Sequence, residues 1–189
     1  MDAATASKLT ALTASLLDVL AEARSADAAL RQVDLYRRRI AGDSIFSIQQ
    51  NVTTERDPVD EIRLRRFYSS EAQHYPVNGV KRKTLGPWTE CLFLQGRVFI
   101  GEGEEALARH FDDFEQMRAH GLQSVINVPL LQGHLCYATF NVFGTRPRWL
   151  PQEVLGIRLL ALAAARWVPA APGLAYRFAG APLTSPMEA

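Results

Sequence analysis

Two apolar runs, Ser124 to Leu131 and Leu135 to Phe143, are separated only by Gln132-Gly133-His134, and they constrain this chain more than any other feature. Their spacing is that of a β-hairpin, so two apolar strands lie side by side in one sheet. An apolar helical segment follows directly. It opens at Pro151, a residue suited to the first turn of a helix, and runs to Val168. Arg158 and Arg166 interrupt it and Pro169 ends it, so it falls short of the roughly 18 unbroken apolar residues of a membrane span and reads as a buried helix.

A second hairpin lies upstream. Ser44 to Thr53 sets Phe46, Ile48 and Val52 on one face and Ser47, Gln49 and Asn51 on the other. Asp60 to Ser70 alternates Ile62 and Leu64 with Arg63 and Arg65, and the polar turn Glu55-Arg56-Asp57-Pro58 joins the two. Two helices precede this hairpin. Leu9, Leu12, Leu16, Val19 and Ala23 form a narrow stripe on the first. The second starts after Ser25 or Asp27, carries Leu30, Val33, Tyr36 or Arg37, and Ile40, and stops near Gly42. Between the hairpins, His74 to Gly79 reads as loop, Trp88 to Gln95 as a short helix or a strand, and Arg97 to Ile100 as a strand. Glu102 to His120 reads as two short helices broken near Phe111-Asp112. Adjacent hairpins imply a largely antiparallel sheet with helices over at least one face. The expected units are an N-terminal helix over 1–25, a domain over 26–168, and a poorly ordered tail over 169–189.

Composition narrows the functions. Hydrophobic residues make up 48% of 189, enough for a core and too many for a disordered chain. The 21 Lys and Arg nearly balance 20 Asp and Glu, which gives no general field for nucleic acid or membrane. Local clusters at Arg37-Arg38-Arg39, at Arg63, Arg65 and Arg66, and at Lys81-Arg82-Lys83 come without a nucleic-acid module, so neither nucleic acid nor a membrane is expected as partner. Two cysteines exclude a disulfide framework and a multi-cysteine metal site, and no secretory signal is evident, so a cytoplasmic location is expected. His74, His110, His120 and His134 show no metal-ligand spacing, and no metal site is expected. Gly101 and Gly103 precede Glu104 and Glu105, which would repel a phosphate and instead suit a helix start.

The run Gly121-Leu-Gln-Ser-Val-Ile-Asn-Val-Pro-Leu-Leu131, the turn at Gly133, the strand through Phe143 and the helix over Gln152 to Trp167 resemble the C-terminal core of GAF domains. The likeness extends over roughly Ala26 to Val168. It implies an α+β, GAF-like (PAS-like) fold: a central antiparallel sheet of five or six strands, N- and C-terminal helices packed on one face, short helices and loops over the other. The helical layer of such domains often pairs with a second subunit, and the opposite face usually encloses a small-molecule pocket. The resemblance therefore implies a non-catalytic sensing module, a homodimer that acts on a separate output protein, because no output domain is attached to this chain. The small molecule and any cofactor stay unidentified at this level.

Apolar walls with a few polar groups suit a small-molecule site. The candidates in or opposite the middle segment are Trp88, Phe93, Phe99, His110, Phe114, Tyr137 and Asn141. Tyr137 and Asn141 are expected on one strand face. Leu9, Leu12, Leu16 and Val19 are the candidate dimer stripe. Two alternatives accompany this reading: an interaction module whose pocket is filled by its own side chains, and a thiol enzyme. GAF-type free methionine sulfoxide reductases carry a cysteine just before the Ser-Val strand. Here that stretch is His120-Gly121-Leu122-Gln123, and Cys91-Leu92 also lacks the Cys-His pair of bilin attachment. No catalytic residue is assigned.

Overall fold

The structure is a computed structural model and describes residues 3–175, leaving aside the side chains of residues 8, 9 and 13. Two helices open it, α1 (Ala3–Glu22) and α2 (Ala26–Ala41). Ser25, not Asp27, is the cap of α2: its hydroxyl accepts from the Ala28 N–H at 3.1 Å. Gly42 ends α2 at φ 62°, where glycine carries no steric penalty.

Six strands follow: β1 (Ser44–Asn51), β2 (Glu61–Ser69), β3 (Val80–Thr84), β4 (Phe99–Glu102), β5 (Ser124–Gln132) and β6 (Leu135–Gly144). They form one sheet in the order β3-β2-β1-β6-β5-β4, with every neighbouring pair antiparallel. Both expected hairpins are present. Strand β3 is an addition, and its Val-Lys-Arg-Lys-Thr sequence hides no apolar period; cations on an edge strand discourage pairing with another chain. Strand β4 starts two residues later than the apolar run suggested.

Helices α1, α2 and α6 (Pro151–Ala165) cover one face of the sheet. Their core joins Leu16, Leu20, Val33 and Ile157 to Phe46, Ile48 and Phe140. Leu16 is 1% exposed and Leu12 packs partly against the same core, while Val19 is half-buried. The proposed dimer stripe thus needs correction: Leu16 is spent on its own protomer, and Leu9 lies outside the described side chains. Arg37, expected in a surface cluster, is 1% exposed. Its guanidinium donates to Asp34 at 2.6 and 3.0 Å, to the Gly42 carbonyl at 2.9 Å and to Ser44, which compensates the buried charge.

The other face carries α3 (Pro87–Thr89) running into a π-helical turn (Glu90–Leu94), then α4 (Glu104–His110) and α5 (Phe114–Ala119). Trp88 to Gln95 is therefore helical, and the break between α4 and α5 falls at Phe111–Asp113, as the sequence indicates. Ile62, Leu64, Trp88, Leu92, Leu107 and Val125 form the core of this face.

Two β-bulges set which side chains point where. Between β1 and β2 the register steps from Ile48↔Tyr68 to Gln49↔Arg66, leaving Phe67 as the extra residue. Between β5 and β6 it steps from Leu130↔Ala138 to Leu131↔Cys136, leaving Tyr137 extra. Each bulge moves the following side chains to the opposite face. Beyond α6 the chain is tied down through residue 175, contrary to the expectation of a loose tail from 169. Gln50 Nε2 donates to the Pro169 carbonyl at 2.7 Å, the Ala175 N–H donates to the Thr53 carbonyl at 2.9 Å, and Ala171 is buried. Residues 176–189, with Tyr176 and Phe178, lie outside the described residues.

Candidate functional site

The polar side of β1 does not face solvent. Ser47 and Gln49 point toward the α3–α5 cover, beside Asn127 of β5 and Asn141 of β6, and together they floor a cavity. Trp88, Phe111, Met117 and Phe143 wall it, and Arg66, Tyr75, Lys81 and Lys83 close the side nearest β2 and β3. Its free volume is about 40 Å³.

A hydrogen-bonded chain fixes the floor. The Trp88 indole N–H donates to Asn127 Oδ1 at 2.9 Å, Asn127 Nδ2 donates to Asn141 Oδ1 at 2.7 Å, and Asn141 Nδ2 donates to the Thr139 carbonyl at 3.2 Å. All three side chains are buried, and each amide is oriented by its neighbour. Trp88 reaches this position because Pro87 starts α3 directly after the β3 strand, with Thr89 Oγ1 accepting from the Gly86 N–H at 2.8 Å.

Charge on the opposite side is unevenly matched. Lys81 pairs with Asp113, and Lys83 with the exposed carboxylate of Asp112 at 2.6 Å. Both aspartates lie in the α4–α5 break, so these pairs tie the edge strand to the helical cover. The lysine beside Asp112 holds its carboxyl below the usual range. Arg66 is 9% exposed and joins no ion pair among the described residues. It donates to the Pro76 carbonyl at 3.1 Å, its guanidinium lies 5.5 Å from the Tyr75 ring centre, and its Nε–H has no acceptor. Burial lowers the pKa of Arg66 and raises that of Tyr75, whose hydroxyl is likewise buried without a partner.

Of the seven residues read from the sequence, Trp88 and Asn141 line this cavity. Phe93, Phe99 and Phe114 belong to the surrounding core, and His110 sets its ring edgewise to Phe99 at 5.0 Å. Tyr137 is on the other side of the sheet, where its hydroxyl donates to the Ala165 carbonyl at 3.0 Å. The bulge at Tyr137 breaks the alternation that would have placed it beside Asn141. Sequence reading missed Ser47, Gln49, Arg66, Tyr75, Lys81, Lys83 and Asn127. Only Asn127 carried a visible signal, as a single amide inside the apolar run Ser124 to Leu131.

Other candidates are quieter. Cys136 is buried, its thiol donates to the Ala138 carbonyl at 3.3 Å, and burial pushes its pKa up to about 12. Burial also raises the Cys91 thiol. His74 and His120 meet with ring centres 4.7 Å apart, but no group of three metal-ligating side chains occurs among the described residues. A second hollow of about 340 Å³ lies between the end of α2 and Trp149, where Arg146 is paired with Glu153. No described helix is long and apolar enough to cross a membrane.

No family model matches the sequence, and comparison with curated proteins gives no match. Solved structures do match. The GAF domain of a phosphoenolpyruvate-protein phosphotransferase from Coxiella burnetii superposes with TM-score 0.64 at 9% identity, over 84% of this chain and 90% of that one. The chromophore-binding domain of a bacteriophytochrome from R. palustris gives TM-score 0.60 at 10% identity, over 88% of this chain and 62% of its own length. The GAF domain of the cyanobacteriochrome TePixJ gives 0.57 at 16% identity, over 78% and 91%. This chain thus spans less than two thirds of the bacteriophytochrome domain. Six antiparallel strands between a three-helix layer and a short-helix cover, superposed on these structures, give the chain the fold of a GAF domain.

Proposed function

We propose that the protein is a non-catalytic sensing module that binds a small molecule between the sheet and the α3–α5 cover. The carrying observation is the cavity floored by Ser47, Gln49, Asn127 and Asn141, a polar floor under aromatic walls. Similarity to a chromophore-binding domain supports a small-molecule role. Catalysis by a thiol is disfavoured by chemistry: both cysteines are pushed toward the neutral thiol, which is a poor nucleophile. On this reading the protein is a cytoplasmic homodimer and passes its signal to a separate output protein. Exposed Leu17 of α1 and Leu162 of α6 are the outward apolar residues that pairing would cover.

A second reading has its own support. Free space of about 40 Å³ is small, as it would be in an interaction module whose pocket is filled by its own side chains. Native mass spectrometry of the purified chain, repeated under denaturing conditions, separates the two. The sensing reading expects a dimer with extra mass that is lost on denaturation. A bare sequence mass, with no small molecule able to shift the Trp88 indole resonance, favours the filled module.

A further inference from the structure

We propose that the cavity takes a compact organic anion, an aromatic or aliphatic body carrying one carboxylate or phosphate, with Arg66 as the anchor of the charged group. The inference rests on the sensing reading and names the chemical class of its ligand. Three cations, Arg66, Lys81 and Lys83, line the cavity against one carboxylate, Asp113. The two lysines are neutralised by Asp113 and Asp112, but Arg66 joins no ion pair among the described residues.

A guanidinium keeps its charge when buried, and a buried charge without a counterion is costly. Arg66 is more than nine-tenths buried, lines the cavity, and holds an Nε–H with no acceptor. The Tyr75 hydroxyl, also on the cavity wall, is a second buried donor without a partner. Arg66 lines the cavity with no carboxylate paired to it among the described residues, and its charge makes an anion the fitting occupant there. Arg66 shares the strand face of Ile62 and Leu64, which sets it on the cavity side, and the bulge at Phe67 then sends Phe67 and Tyr68 both to the helical side. Opposite the donors, Trp88, Phe111 and Phe143 offer an apolar surface for the ligand body. Asp113 sits within the electrostatic reach of Arg66 and on Lys81, so it competes with the incoming anion.

The test is titration of the full chain with benzoate, phenyl phosphate, inorganic phosphate and the neutral isostere benzamide. It follows the Trp88 indole and the Asn127 and Asn141 side-chain amides by ¹H–¹⁵N NMR. Benzoate or phenyl phosphate is expected to bind about tenfold or more tightly than benzamide, the worth of one charge-assisted contact. Whether the carboxylate or the phosphate is preferred identifies the head group. Arg66→Gln should abolish the anion preference, and Lys81→Gln, at a half-exposed position, should weaken it if the first variant fails to fold. Asp113→Asn should strengthen it, an opposite sign that a merely structural role for Arg66 would not produce. Equal binding of benzamide and benzoate overturns the anion assignment but leaves the sensing reading standing. Inorganic phosphate binding that does not move these resonances, or no binding by any probe, also overturns it. In the last case, a bare mass in the native spectrum removes the sensing reading as well.

Discussion

Trp88 and Asn127 meet 39 residues apart in sequence, the indole N–H donating to the amide oxygen at 2.9 Å in a buried setting. This bond joins the helical cover to the sheet, and Asn127 hands the contact on to Asn141. Asn127→Ala would strand the indole donor and the Asn141 acceptor together. Each unsatisfied buried group costs about 1–3 kcal/mol, so a loss of about 2–4 kcal/mol is expected in urea denaturation. The Trp88 near-ultraviolet dichroism should also change. A loss below about 0.5 kcal/mol would mean that water replaces the amide without penalty.

Tyr137 offers the complementary case. Its hydroxyl bonds the Ala165 carbonyl at the end of α6, on the face away from the cavity. Tyr137→Phe should cost about 1 kcal/mol of stability, the net worth of one such bond. It should leave every ligand-induced shift of the Trp88 and Asn141 resonances intact. Altered probe binding in this variant would show that the two faces of the sheet are coupled.

These two residues also mark how far the sequence could be read. The helices, both hairpins and the α4–α5 break are legible because their apolar residues repeat with the period of the element that holds them. Alternation alone put Tyr137 with Asn141, since it cannot register one extra residue, and the bulge reverses the face. Arg66 was missed for another reason: it keeps the face of Ile62 and Leu64, as alternation requires, but it looks like one more strand arginine beside Arg63 and Arg65. Ser47 and Gln49 read only as the polar face of β1, because nothing local to that strand announces that α3 and α5 will cover them. Strand β3 is mostly cationic and acquires its identity only by pairing with β2. Docking of residues 169–175 depends on Gln50 and Thr53, more than a hundred positions away. What was missed is, throughout, a consequence of long-range pairing.

His110 gives the protein a pH dependence of defined sign. Burial, and secondarily the charge of Arg109, lowers its pKa below the ordinary 6.5, so the folded state binds this proton less readily than the unfolded chain. Its contribution to stability is complete above pH 6.5 and is lost as the pH falls through the lowered folded value. Melting temperatures at pH 7.5, 6.5 and 5.5 should therefore drop more steeply for the wild type than for His110→Gln. Parallel slopes for the two proteins would show that the ring beside Phe99 is free to charge in the fold.

Neighbouring leucines of α1 separate folding from association. Leu16 is 1% exposed in the protomer, whereas Leu17 is 54% exposed, and on α6 Leu162 is 72% exposed. Leu16→Ala removes packed atoms from the helical core and should destabilise by about 2–5 kcal/mol. Leu17→Glu and Leu162→Glu remove no internal contact of that kind, so each should leave protomer stability within about 0.5 kcal/mol. If the outer helical face is where two copies meet, a carboxylate there faces either its symmetry mate or an apolar surface, and both are unfavourable. Sedimentation velocity at micromolar concentration should then show the wild type as dimer and both glutamate variants shifted to monomer. A dimer that survives both substitutions would place the contact elsewhere, and a wild-type monomer would remove pairing from the proposed function while leaving the cavity chemistry intact.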